Sequence, residues 1–444
     1  MIEAHGVGGQ ADLPIPLSLA VGGASAALVV SFVVLATAWR SSRYQGPQAP
    51  AGRPLPATAS RLLLSHSSRI VLRVVGMAAF VLAAAAALFG QDSLTNPFFG
   101  MVYVWWWVGL PFASVLFGPV WKAISPVRTI HAGLARVTGG DPARGVLEYP
   151  ARLGMWPAAI GLFAFVWLEL VYDNSSQLGD VRLWCVTYLA IMLVGGAVFG
   201  SGFYEKADPF EVFSTLAARI SPWRTEQTAT SRPRIVLCSP LANLAATPAT
   251  AGLTAVMAVL FGSTAFDSFG KSEWWLRTIY GSSLSANVLN NIALIVFCVG
   301  AGVVFAAGCV LTRAAKDVRR ARLPDLFAHS LVPIIVAYFV AHYLTLFVDY
   351  GLQTLSLVSD PFGKGWDLFG TAGVAPTFWF SYHPTFLATL KVLAVVVGHV
   401  AAAVAAHDRA LQVLPSTHRI TGQLPLLITM VGFTAGGLML LFSA

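Results

Sequence analysis

Ten stretches of the chain stay apolar for about the length of a bilayer crossing, with polar residues gathered between them. They fall near 15–38, 69–89, 98–120, 154–173, 181–200, 248–267, 287–311, 326–349, 385–407 and 424–443. A hydrocarbon core of about 30 Å takes roughly 20 helical residues, so each stretch reads as one transmembrane helix. The pattern predicts an all-α fold: a polytopic membrane helical bundle of about ten spans forming a single domain over 1–444. Segment 39–68 reads as an irregular Pro-rich cytoplasmic linker, and 121–153 and 203–247 read as cytoplasmic loops.

Charge orients the bundle. Of 28 Lys and Arg residues, 23 fall in alternate connecting segments and four in the others, while Lys391 sits inside a span. Basic residues concentrate on the cytoplasmic side, so both termini are expected outside. With 56% hydrophobic and 11% charged residues and a mean hydropathy of +0.70, the chain is no ordinary soluble domain. Its net charge of +8 therefore marks loops at a lipid bilayer rather than a nucleic-acid surface. The opening MIEAHGVGGQADLP lacks the basic start of a cleavable signal peptide. Four cysteines, with no C-x-x-C, point to neither a metal knuckle nor a disulfide framework. The Arg-rich basic set in an Ala-, Gly- and Val-rich background fits a bacterial plasma-membrane protein.

Two segments echo each other. FGPVWKAISPVRTIHAGLAR and FGSGFYEKADPFEVFSTLAAR both run from Phe-Gly through Lys-Ala to a proline, Pro126 or Pro209, with an arginine ten residues on. Each predicts a proline-started amphipathic helix at the interface, its arginine (Arg136 or Arg219) available to lipid phosphate. Trp105, Trp106 and Trp107 read as an interfacial or lipid-facing aromatic cluster. Gly432 and Gly436, in GxxxG spacing, read as a packing face. Gly270-Lys271-Ser272 is not a P-loop, because Ala265 stands where the first glycine belongs.

The candidate chemistry lies in polar residues inside the spans, which are costly in lipid and usually face a cavity, a partner or a cofactor. In FAHSLVPIIVAYFVAHYLTLFVD, the side chains of Tyr338, His342, Thr345 and Asp349 fall within roughly 40° of one another. His342, Asp349, Tyr338 and Lys391 are the candidate catalytic residues. His342, His383, Asp267 and Glu169 form a candidate outward-facing set for zinc, manganese or iron. Asp267, at a helix end where a carboxylate opposes the dipole, calls for a compensating partner. His399, at mid-depth behind Gly398, and His329 are candidate cofactor-binding residues, and His407 with Asp408 reads as an ion pair at the inner boundary. Three functions compete: metal-assisted hydrolysis of a small molecule, a proton or cation path, and axial haem ligation by two of His329, His342, His399 and His407. No H-E-x-x-H, H-x-H, G-x-S-x-G or C-x-x-C-H spacing decides among them. A homo-oligomer or a further membrane subunit is compatible with all three.

The stretches EAHGVGGQADLP, STAFDSF, AHSLVPIIVAYFVAHYLTLFVDYG and GHVAAAVAAHDRAL resemble a family of actinobacterial polytopic membrane proteins known as fenitrothion hydrolases. The resemblance implies metal-assisted or general-base hydrolysis of an aryl phosphotriester, with His342, His383, His399 and Asp267 as the positions carried over. Motifs of the soluble organophosphate hydrolases are absent.

Overall fold

The computed structural model describes residues 12–45, 49–226, 232–315, 318–415 and 421–442. The elements are α1 (Leu17–Ala38), β1 (Arg53–Pro54), α2 (Ala57–Leu63), α3 (His66–Phe89) and α4 (Pro97–Phe99), then a π-helix (Gly100–Val108) running into α5 (Gly109–Phe117). Next come α6 (Val120–Ile124), α7 (Pro126–Val137), α8 (Trp156–Leu170), α9 (Leu178–Phe199), α10 (Tyr204–Ala207), α11 (Pro209–Ala217), β2 (Trp223–Glu226), β3 (Arg234–Leu237) and α12 (Pro240–Ala245). The remainder is α13 (Leu253–Phe269), α14 (Glu273–Gly281), α15 (Ala286–Val310), α16 (Leu323–Phe327), α17 (Val332–Leu357), α18 (Trp379–Tyr382), α19 (Pro384–Val413) and α20 (Leu424–Leu441).

The fold is an all-α helical bundle. Among the described residues eight helices are long and apolar enough to cross a membrane, or nine if α13 and α14, bent by 77° at their junction, count as one span. The tenth expected span, α8, is 15 residues long, about 22 Å at 1.5 Å per residue. It packs beside α13 and is shorter than the helices long enough to cross a membrane. Loop contacts alternate from end to end as a serpentine course requires. At one end Asp408 accepts from Ser42 and the Arg43 amide, and Asp325 accepts from Thr254. At the other, Asp92 accepts from the Leu178 amide, Asp173 from Asn287 and Asp349 from the Phe378 amide.

α17 is the centre, with 78% of its apolar window buried. It packs along α19 and crosses the π-helix, while α13 packs on α15 and α8, and α1 fits between α19 and α20. Gly398 permits the α17–α19 crossing, since a methyl there would meet the Pro333 carbonyl at 2.7 Å.

Local chemistry explains the echoing segments. α5 and α9 both end at a glycine with positive φ, Gly118 (90°) and Gly200 (74°), where an L side chain is strained. Each is followed by a short helix and then a proline-started helix. Ser125 caps α7 by accepting from the Arg128 amide, and Asp208 caps α11 by accepting from the Phe210 and Glu211 amides. The two copies clasp each other. Arg128 and Glu211, each two residues past its proline, form a bidentate pair at 2.5 and 2.6 Å. Trp121 and Tyr188 donate to Asp208 at 3.1 and 3.0 Å, and Lys122 pairs with Glu205 at 2.6 Å.

Several expectations are corrected here. α11 is buried along its length rather than lying at an interface, because Phe210, Val212 and Phe213 pack into the aromatic core. Trp106 and Trp107 pack on that same core: Trp106 lies against Phe210 at 3.9 Å and Trp107 against Phe165 at 5.0 Å, and Trp107 is buried rather than lipid-facing. The 39–68 linker is partly ordered, since β1 pairs with β3 in a three-stranded antiparallel sheet with β2. A methyl at Gly432 or Gly436 would meet no atom within 4 Å among the described residues, so neither is a close helix crossing here. His407 and Asp408 do not pair: His407 bonds Gln423 and the Trp39 carbonyl, while Asp408 holds residues 42–44.

Candidate functional site

α13 and α17 bring their polar residues together one turn from the end of α13. Asp267 Oδ2 accepts from His342 Nε2 at 2.7 Å and from the Tyr343 hydroxyl at 2.9 Å. Its Oδ1 lies 2.9 Å from Lys271 Nζ, one turn on, which supplies the expected compensation of a carboxylate at a helix C-terminus. The other imidazole nitrogen, His342 Nδ1, is 3.3 Å from Ser268 Oγ, and that hydroxyl is 2.6 Å from the Tyr338 hydroxyl. Asp267, Ser268, Tyr338, His342 and Tyr343 are all buried, whereas the Lys271 side chain keeps 26% of its surface exposed.

Donor and acceptor rules give this cluster a direction. Lysine and the phenol of Tyr343 can only donate to an ionised carboxylate. With a neutral ring, His342 donates from Nε2, so Nδ1 is an acceptor. Ser268 must then donate to Nδ1, and its oxygen receives the proton of Tyr338. The chain of donation runs Tyr338 to Ser268 to His342 to Asp267, with Lys271 and Tyr343 as side branches onto the same carboxylate.

The remaining candidates stand apart from this chain or at its margins. Glu169 neighbours Asp267 and Lys271 closely enough to feel their charges, and its buried Oε2 has no hydrogen-bond partner among the described residues. Asp349, two turns beyond His342 on the same face of α17, accepts from the Phe378 amide at 2.8 Å. It borders a cavity of about 330 Å³ lined also by Asn96, Tyr350, Gln353 and Thr354. Phe378 is the one non-glycine residue with positive φ (49°) among the described residues, and the Asp349 bond holds it there. Lys391 is buried, with Nζ 5.9 Å from the Phe442 ring.

The expected metal set is not assembled. His383 is exposed at the start of α19, stacked on Trp379 at 4.3 Å and bonded to the Trp379 carbonyl. Among the described residues no group of three or more His, Cys, Asp and Glu side chains is placed to hold a metal ion. His399 and His329 each bond a carbonyl of their own local helix, Val395 and Leu326. Neither these two nor His342 and His407 line the cavity beside Asp349 or the one beside α3. His5, a histidine of the N-terminal stretch expected on the outer side, lies outside the described residues.

Sequence reasoning missed Ser268, Lys271 and Tyr343. Lys271 had a signal, its i,i+4 spacing from Asp267. Comparison with known proteins finds no matching family model, no similar curated protein and no similar solved structure.

Proposed function

We propose that the chain is a multi-pass membrane protein that moves protons, alone or coupled to a small solute, through the Tyr338–Ser268–His342–Asp267 relay. The observation that carries this reading is the directed line of hydrogen bonds ending on one buried carboxylate. Each group in it can pass on its own proton while taking the next, so no charge need be stranded in the apolar interior. A proton that enters at Tyr338 displaces one onto Ser268 and then one onto His342 Nδ1; His342 releases from Nε2, so these three stay neutral, Asp267 becomes neutral, and Lys271 is freed toward the expected outer side. The Asp349 cavity, two turns farther along the same face of α17, lies on the expected outer side of the relay. A proton needs no open pocket at His342, which fits the closed packing around it.

The test is proton flux into liposomes holding the purified protein and a pH-sensitive dye. His342→Phe and Asp267→Asn are expected to lower the flux at least tenfold while the protein stays folded. Flux equal to that of empty liposomes, or unchanged in both variants, sinks the proposal.

Hydrolysis, the activity implied by the resemblance to fenitrothion hydrolases, is kept as a second reading for one reason. Ser268, His342 and Asp267 follow the nucleophile, base and orienting-acid order of acyl and phosphoryl hydrolases. Ser268 is buried within a helix, so a substrate would require α13 and α17 to part. A fluorophosphonate probe that labels Ser268 in wild type and not in His342→Phe supports this reading; no labelling removes it.

A further inference from the structure

We propose that a cavity between α3 and the π-helix, on a different face of the bundle from the relay, binds an anionic lipid. Its acyl chain lies along the cavity and its acidic head group rests on Arg182. The cavity measures about 360 Å³, within the usual range for a small-molecule site, and its lining is almost wholly apolar.

Its origin lies in how α3 is held. Toward one end α3 presses on α6 at Gly76, where a methyl would run into the Ile124 carbonyl. At the other, Asn96 ties down the Ala86 carbonyl at 3.0 Å. Between these two anchors α3 lines the slot mainly with small side chains (Ala79, Ala83, Ala84), with Phe80 beside them, against a wall of Trp105, Trp106, Trp121 and Tyr188. Small residues facing large flat ones leave a slot that the chain itself does not fill. Elsewhere the interior is packed aromatic against aromatic, as around Phe210 and Phe165.

Two further features identify the occupant. The slot meets the lipid-facing surface, since its lining residues Leu88 and Val186 are 58% and 56% exposed. At that same end stands Arg182, the one charged residue of the lining, which spends one N–H on the Ala87 carbonyl at 3.0 Å. A guanidinium has five donors in a planar fork suited to phosphate or carboxylate, so donors remain for an acidic head. An apolar slot reached from the bilayer with a single cation at its mouth matches an anionic amphiphile rather than a zwitterionic lipid or a polar solute. One wall is π-helix, a rare conformation that recurs at functional sites, and it carries Met101, Val102, Trp105 and Trp106 into the slot.

Native mass spectrometry of the detergent-purified full chain, titrated with phosphatidylglycerol, phosphatidylcholine and oleate, tests this. Wild type is expected to retain one phosphatidylglycerol per chain with at least tenfold preference over phosphatidylcholine. Oleate bound equally well would place a carboxylate, rather than a phosphate, on Arg182. Arg182→Gln should bring the preference down to about one while phosphatidylcholine retention stays as it was. Ala83→Phe, which fills the slot, should lower retention of both lipids at least tenfold. Should Ala83→Phe fail to fold, phosphatidylglycerol with a photoreactive acyl chain on wild type takes its place, with labels expected on α3 and the π-helix. Full retention in Ala83→Phe, a preference surviving Arg182→Gln, or labels confined to other helices would overturn the assignment.

Discussion

Arg128→Met is the sharpest structural perturbation this protein offers, because it strips one partner from the pair that clasps the two echoing segments. Glu211 is 1% exposed and receives both hydrogen bonds of the Arg128 guanidinium. Removing the arginine leaves a carboxylate uncompensated in the interior, which costs about 3–5 kcal/mol. Replacing both partners, in Arg128→Met with Glu211→Leu, removes the stranded charge as well as the pair. It is expected to recover most of that loss, for a coupling of roughly 2–4 kcal/mol. Lys122–Glu205 is the internal control: it joins the same two segments at 2.6 Å, but its side chains are 47% and 53% exposed. Lys122→Met should cost at most about 1 kcal/mol. The assay is chemical or thermal unfolding in detergent, followed by intrinsic fluorescence, for wild type, the three single variants and the double. Two results refute the reasoning: Lys122→Met as damaging as Arg128→Met, or a double variant whose loss equals the sum of the singles.

Other expectations follow from the same geometry. Burial and the neighbouring Glu211 push the Asp208 carboxyl up to about 7, against the Trp121 and Tyr188 bonds that favour its ionised form. An acid whose folded pKa is raised contributes stability at low pH and loses it as pH rises toward the folded value. Stability should therefore fall by up to roughly 1.4 kcal/mol per pH unit from about pH 4 to 7, a slope absent in the unfolding of Asp208→Asn. Gly262→Ala would set a methyl 2.5 Å from Cys298 Cα, forcing α13 and α15 apart. A loss of about 1–3 kcal/mol is expected in the same unfolding assay, while Gly432→Ala, with open space around it, should be neutral. Phe378→Gly relieves the positive φ at the Asp349 contact and should stabilise by roughly 1 kcal/mol; a destabilised variant would mean that the half-exposed ring contributes more than the strain costs.

The sequence carried the fold well because lipid-spanning helices announce themselves by length and apolarity, and all ten stretches hold a helix. The proline-started helices were legible for a similarly local reason, since proline is favoured at the first helical position, whereas the capping by Ser125 and Asp208 emerged only in the structure. The polar stripe of α17 was also visible, since its spacing follows from helical geometry alone. What faces that stripe was not, because the choice of α13 as partner depends on long-range packing. That packing drew Ser268 and Lys271 into the site. It left His383 outside, where the residues after α17 turn back through the Asp360 and Ser359 bonds and set His383 on Trp379. The π-helix had no sequence signal, and the tryptophans within it looked interfacial when read as an ordinary helix. The burial of α11 was hidden similarly, since an amphipathic pattern does not say whether its polar face meets lipid head groups or an arginine from a second copy of the motif.

The measurement that bears most directly on the central claim compares proton flux in liposomes for Ser268→Ala, Tyr338→Phe and Tyr343→Phe. All three remove a hydroxyl from the cluster, but only Ser268 and Tyr338 stand in the line of donation, while Tyr343 is a side branch onto Asp267. The relay predicts at least a tenfold loss for the first two and less than a threefold change for the third. Equal losses in all three would reduce the cluster to a structural network, and full flux in Ser268→Ala would contradict the relay outright.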